Sequence, residues 1–151
     1  MKPVSFFRME ESVWLPTYAT DGAACFDIYA HLPAQAAFSN IEPTANVLIP
    51  TGLKVAVPED HVMLIFSRSG HGFKNNTRLA NCVGVIDSDY RGELMVKLTR
   101  DDGGEIWVSD KERIAQAMII PVHRWEIGEV QVESDLGSTE RGEGGFGSTG
   151  R

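Results

Sequence analysis

The stretch Asn81-Cys82-Val83-Gly84-Val85-Ile86-Asp87-Ser88-Asp89-Tyr90-Arg91-Gly92-Glu93-Leu94-Met95-Val96-Lys97-Leu98 decides how this chain is read. Cys82 to Ile86 is apolar apart from Gly84, Asp87-Ser88-Asp89 supplies turn-forming side chains, and Arg91-Gly92 supplies a second break. Glu93 to Leu98 alternates as a half-buried strand does. The pattern predicts two strands with a tight connection, a rigid hairpin. A glycine inside a strand marks a bulge, or a place where a ligand approaches the backbone. Asp87 and Asp89 lie beside the Tyr90 hydroxyl, which is the material of an acid–base site. Taken alone, the stretch favours a plainer use of the same residues, an aspartate turn.

The rest of the chain shows what that stretch is embedded in. Fifteen glycines and seven prolines cut 151 residues into short pieces, and no periodic apolar run reaches helical length. One all-β domain of many short strands is expected. The net charge of −7 argues against a general nucleic-acid or anionic-membrane binder, while leaving room for a local basic pocket. Cys25 and Cys82 have no metal-type spacing, so a reducing compartment is expected. With neither a signal-peptide core nor an apolar run of about 18 residues, a soluble intracellular, cytoplasmic protein is the default.

In order, Val4 to Met9 suits an edge strand, and Leu15 to Tyr18 is extended because of Pro16. Asp21 to Ala30 alternates as a strand, with Asp27 facing away from Phe26 and Ile28 as a solvated residue would. His31 to Asn46 is a loop. Val47 to Val57 is strand-like on both sides of Pro50-Thr51-Gly52, and Val62 to Phe66 is a buried strand. Ser67-Arg68-Ser69-Gly70-His71-Gly72 reads as a surface turn, or as a nest of backbone N–H groups for an anion. Phe73 to Leu79 is the candidate helix. Glu105 to Val108, Arg113 to Pro121 and Trp125 to Val132 complete the strands, and in the second of these only Gln116 lacks a reason in core packing. The tail, Arg141 to Gly150, contains G-x-G-x-x-G, but the strand before it and the helix after it that a dinucleotide fold requires are missing. A disordered terminus or a closing lid both suit its composition.

Five of these segments, in order, resemble the motifs of the trimeric dUTPases. Asp21 to Ala30 is similar to the first, with Cys25 where the family more often has glycine. Ser67-Arg68-Ser69-Gly70 resembles the second, with Ser67 in place of proline. The opening stretch resembles the third, Arg113 to Pro121 the fourth, and Arg141 to Gly150 the fifth almost residue for residue.

The resemblance implies a dUTPase-like jelly roll of the β-clip type, assembled as a homotrimer with C-terminal arm exchange. It implies a β domain over 1–135 and a flexible glycine-rich lid over 136–151. It also implies hydrolysis of dUTP to dUMP and pyrophosphate, keeping uracil out of DNA. Asp87 becomes the general base directing water at the α-phosphorus. Arg68, Ser69, Gly70, Gln116, Arg141, Ser148 and Thr149 hold the phosphates. Asn81, with the backbone of Gly84, Val85 and Ile86, reads uracil. Tyr90 packs under the deoxyribose, and Phe146 with Gly147 closes over the base. Mg²⁺ arrives on the triphosphate, with Asp27 touching its water shell. Two alternatives stay open: a dCTP deaminase-like enzyme, although that family relies on a glutamate in this hairpin, and a scaffold kept to sequester a regulatory protein partner.

Overall fold

The computed structural model describes residues 3–32 and 46–145. Its strands are β1 (Ser5–Arg8), β2 (Thr17–Tyr18), β3 (Phe26–Tyr29), β4 (Asn46–Ala56), β5 (His61–Phe66), β6 (Thr77–Leu79), β7 (Val83–Ile86), β8 (Glu93–Arg100) and β9 (Arg113–Pro121). One helix, α1, covers Ser69–Asn75, and Glu133–Leu136 forms a 3₁₀ turn. The strands make two antiparallel sheets, ordered β1-β4-β8-β6 and β2-β3-β9-β5-β7. One buried cluster joins them: Val47, Ile49, Leu53, Leu94, Val96 and Leu98 come from the first sheet, Ile28, Met63, Ile65 and Ile114 from the second. In β8 the buried Leu94, Val96 and Leu98 alternate with Glu93, Met95 and Lys97, the period of two that a one-sided sheet demands. Each large aliphatic chain buried this way contributes about 1.5–3 kcal/mol. No helix among the described residues is long and apolar enough to cross a membrane.

Several expectations are corrected. The residues 77–79, assigned to the helix, form β6. Asn76 takes a left-handed conformation (φ 50°) and closes α1 by donating its N–H to the His71 carbonyl, after which Thr77 pairs with Arg100. Ser69 to Gly72 belongs to α1 and not to an open loop. The break at Pro50-Thr51-Gly52 is a register shift inside the single strand β4. There Gly52 has φ 67°, and a Cβ would lie 2.5 Å from Val13 Cγ2. The Gly52 N–H donates to Glu93 Oε1 at 2.8 Å, and Thr51 Oγ1 donates to the Leu94 carbonyl at 2.7 Å. Residues 105–108 and 125–132 form no strand, although Ile106 and Val108 still pack on the core. Trp125 and Ile127 project into solvent, Ile127 with 97% of its surface exposed, and this arm pairs with no described strand. The predicted loop between His31 and Asn46 lies, from residue 33 to 45, outside the described residues.

Candidate active site

The predicted hairpin is not a hairpin. β7 hydrogen-bonds to β5 in one sheet, while β8 pairs with β4 and β6 in the other. The connection 87–92 therefore crosses between sheets, and the two strands diverge instead of closing a ladder. Between them opens a cleft of about 430 Å³, lined by Asn81, Gly84, Val85, Ile86, Met95 and Lys97 among others. Gly84 keeps regular register opposite Ile65, so it is no bulge. The strands approach closely here: a Cβ at this position would sit 3.1 Å from Ile65 Cβ, which would have to give by a few tenths of an ångström. Cys82, with φ 64°, turns the chain from Asn81 into β7.

At the far end of β7 the connection is pinned by Tyr90. Its hydroxyl donates to the Glu93 carbonyl at 2.8 Å, and its ring lies over Gly92, where a Cβ would be 2.6 Å from Tyr90 Cζ. The pairing of tyrosine with glycine two residues on thus has a steric cause. The Tyr90 N–H also donates to the Asp87 carbonyl at 3.2 Å, closing the turn. The Asp87 carboxylate itself is exposed and makes no hydrogen bond or ion pair with any described residue.

A second cluster lies on the other sheet. Asp27 is opposite Gln116, which in turn is opposite Phe66, so β3, β9 and β5 present one row. Asp27 is only 8% exposed, not the solvated strand residue expected from alternation. Its Oδ1 accepts from Arg68 Nε at 3.1 Å and its Oδ2 from Arg113 Nη1 at 3.3 Å. Arg68 Nη1 reaches the Arg113 carbonyl at 3.3 Å, and Gln116 Nε2 donates to the Ser67 carbonyl at 3.0 Å. Ser67 Oγ accepts the Leu79 N–H at 2.9 Å, so the missing proline leaves this segment tied down. Burial, with the Asp27 charge as a second cause, pushes the Cys25 thiol above its usual range, keeping it protonated.

β7 is antiparallel to β5, with Ile86 opposite Met63 and Val83 opposite Phe66. Asp87 therefore leaves β7 at the Val62 end of β5, whereas Arg68 follows Phe66 at the other. Three residues of strand already separate those ends by about 10 Å, at roughly 3.3 Å per residue. One chain brings Asn81, Gly84, Val85 and Ile86 together around the cleft, with Asp87 and Tyr90 following on the turn after β7, and Asp27, Arg68 and Gln116 together beside α1, where Ser69 and Gly70 are exposed. It does not bring Asp87 to Arg68. Arg141 is exposed and donates from Nε to the Gly144 carbonyl at 2.8 Å. Phe146, Gly147, Ser148 and Thr149 lie outside the described residues.

Arg113, Met95 and Lys97 were not among the expected site residues. A cation at the first position of an apolar strand was the available signal for Arg113, whereas the two β8 residues line the cleft only because the chain changes sheets between β7 and β8. Among the described residues no group of three or more His, Cys, Asp or Glu side chains is placed to hold an ion. Both Asp27 oxygens face guanidinium donors, so their remaining lone pairs suit hydrogen bonds from metal-bound water better than direct ligation.

The comparisons agree with this architecture. The dUTPase family model matches residues 11–150. The deoxyuridine 5'-triphosphate nucleotidohydrolase of Caulobacter vibrioides (strain NA1000 / CB15N) is 43% identical over 149 residues, covering 97% of this chain and 94% of that protein. Its namesake from Desulfitobacterium hafniense (strain DSM 10664 / DCB-2) is 44% identical over 148 residues, with the same coverage. The structure of the Staphylococcus bacteriophage 80alpha dUTPase with dUPNHPP superposes over the whole of both chains with a TM-score of 0.80 at 27% identity. A divergent pair of strands around a cleft, a buried aspartate held by two arginines and a family match over nearly the whole chain have one common explanation: this chain belongs to the dUTPase family.

Proposed function

We propose that the cleft and the arginine cluster are two halves of one dUTP-hydrolysing site, completed between copies of the chain. The observation that carries this is the antiparallel pairing of β7 with β5. Uracil enters beside Asn81 and the Gly84–Ile86 backbone, the deoxyribose rests on Tyr90, and the α-phosphorus lies near Asp87. The nucleotide then runs along β7 away from the Phe66 end, so its phosphates leave the neighbourhood of this chain's own Arg68. A second copy supplies Arg68, Ser69, Gly70 and Gln116 there, within a homotrimer. The exposed Trp125 to Val132 arm, lacking a strand partner at home, reaches across to another copy.

Asp87 orients a water and accepts its proton as the oxygen attacks the α-phosphorus in line; pyrophosphate departs as the leaving group. Its unengaged carboxylate suits a base that works by position in a closed site. Asp27 would accept hydrogen bonds from the water shell of a Mg²⁺ ion carried in by the triphosphate, and that ion would supply neutralisation of the phosphate charge. Tyr90, clamped by Gly92 and Glu93, cannot retreat from a 2′-hydroxyl, so ribonucleotides are rejected. Cytosine leaves the polar groups of the cleft unpaired, a defect that discriminates by about 10⁴-fold in sites of this kind. The domain spans 1–135, and 136–151, with Arg141, Phe146, Gly147, Ser148 and Thr149, acts as the lid. The free thiols of Cys25 and Cys82 fit a reducing, cytoplasmic setting.

Pyrophosphate release from dUTP, measured beside UTP, dCTP and dTTP, tests the activity; ammonia from dCTP would point to a deaminase. Mixing inactive Asp87→Asn and Arg68→Ala chains after dissociation tests the shared site. Recovery of activity is expected, and none would place both halves in one chain.

A further inference from the structure

We propose that Asp27 is a positioning residue that holds Arg68 and Arg113 side by side, and that it does so independently of any divalent cation. The proposal rests on assigning this end of the sheet to the phosphates, and it adds Arg113 to that end. Two guanidinium groups repel each other, and a lone arginine on a surface samples many rotamers. Here one carboxylate, its side chain 10% exposed, takes one arginine on each oxygen, at 3.1 Å and 3.3 Å. The backbone supports the same arrangement. Arg68 Nη1 donates to the Arg113 carbonyl, and the β3–β9 bulge after Ile28 brings Tyr29 opposite Arg113, two residues from Asp27.

The hydrogen bonds account for how much of each arginine remains for a ligand. A guanidinium has five N–H donors. Arg68 commits Nε and Nη1 within the fold, leaving Nη2 with both of its donors, and Arg113 commits only Nη1. The Arg68 side chain is 23% exposed and that of Arg113 is 50% exposed, so the uncommitted donors reach solvent. Two forks fixed at their bases and open at their tips are preorganised for an oxyanion chain. Asp27 thereby assists phosphate binding although it is itself an anion.

The test is the affinity of the full-length protein for α,β-imido-dUTP in EDTA, with deoxyuridine as the phosphate-free control. Asp27→Asn keeps the shape but faces one arginine with an amide donor. It is expected to weaken the triphosphate analogue by roughly tenfold or more, the size of one lost charge-assisted hydrogen bond, and to leave deoxyuridine unchanged. Arg113→Gln is expected to do likewise, and its effect should shrink in the Asp27→Asn background, since the anchor is already gone. Unchanged analogue affinity in EDTA, with only a higher Mg²⁺ requirement for turnover, would confine Asp27 to the metal's water shell, with no part in holding the arginines, and overturn the proposal. Strict additivity of the two substitutions would also overturn it. Should Asp27→Asn fail to fold, Arg113→Gln decides alone: weakened analogue binding supports the proposal and unchanged binding sinks it. A wild-type chain that releases no pyrophosphate from dUTP would fail the enzymatic assignment, a separate result.

Discussion

Two aspartates of the same chain have opposite surroundings. Asp27 is buried, with both oxygens engaged by arginines, while Asp87 is exposed at a strand end with no partner among the described residues. A carboxylate bonded to an arginine on each oxygen is itself fixed in place. One with no side-chain partner, on a turn fixed by Tyr90 and Gly92, is open to solvent, as the general base we propose must be. The residue type is the same in both places, and only the surroundings differ.

Substitutions put that contrast to the test. The largest effect is expected for Asp87→Asn: kcat should fall by about 10³-fold, within the range for a positioned base, while affinity for the imido analogue changes by less than about threefold. A comparable loss of affinity in calorimetry would make Asp87 a turn residue and erase the distinction. Next is Gly92→Val, which drives the Tyr90 ring from its seat. Discrimination of dUTP over UTP, measured as the ratio of kcat/KM values, should relax by about 10–100-fold. An unchanged ratio would show that Tyr90 is not held by Gly92.

Gly52→Ala acts on the scaffold that both ends share. With φ 67° and Val13 in the way, it should cost about 1–3 kcal/mol in denaturant unfolding without changing KM. A shift in KM would mean that the β4 irregularity reaches the site through Glu93. The smallest effect belongs to Asp102, whose carboxyl is held below the usual carboxylate range by Arg100, then by the Gly104 N–H and Asn76. A depressed carboxyl stabilises the fold above its usual value of 3.8 and loses that contribution as pH falls through the lower folded value. Wild type and Asp102→Asn should therefore differ slightly in Tm near neutrality and converge in acid. Divergence in acid would reverse the sign.

Where the hydrophobic period was clean, the elements were legible: β9 was expected and found at Arg113–Pro121, β5 to within one residue, and β1 as an edge strand. The expected helix at 73–79 began four residues early, because nothing in Ser67 to Gly72 distinguishes a turn from a first helical turn, and the left-handed Asn76 that ends it is a local device. Trp125 to Val132 carries strand-forming residues with no strand to pair with inside one chain. Asp27 shows the same limit, since alternation along β3 correctly turned it from the core face, but its burial comes from Arg68 and Arg113, 41 and 86 residues away.

What the order of residues determined unaided is the chemistry: an acid beside a tyrosine on a glycine-marked turn, arginines near hydroxyls, and a run of short strands. Those are matters of local type and spacing, which a chain states in its covalent structure. The tertiary contacts alone settle that β7 and β8 belong to different sheets, that Asp27 is buried between two arginines while Asp87 is exposed, and that Asp87 and Arg68 lie at opposite ends of β5. Each of these depends on which distant segment hydrogen-bonds to which. That choice is made by the joint burial of the two sheets, and no single stretch carries it.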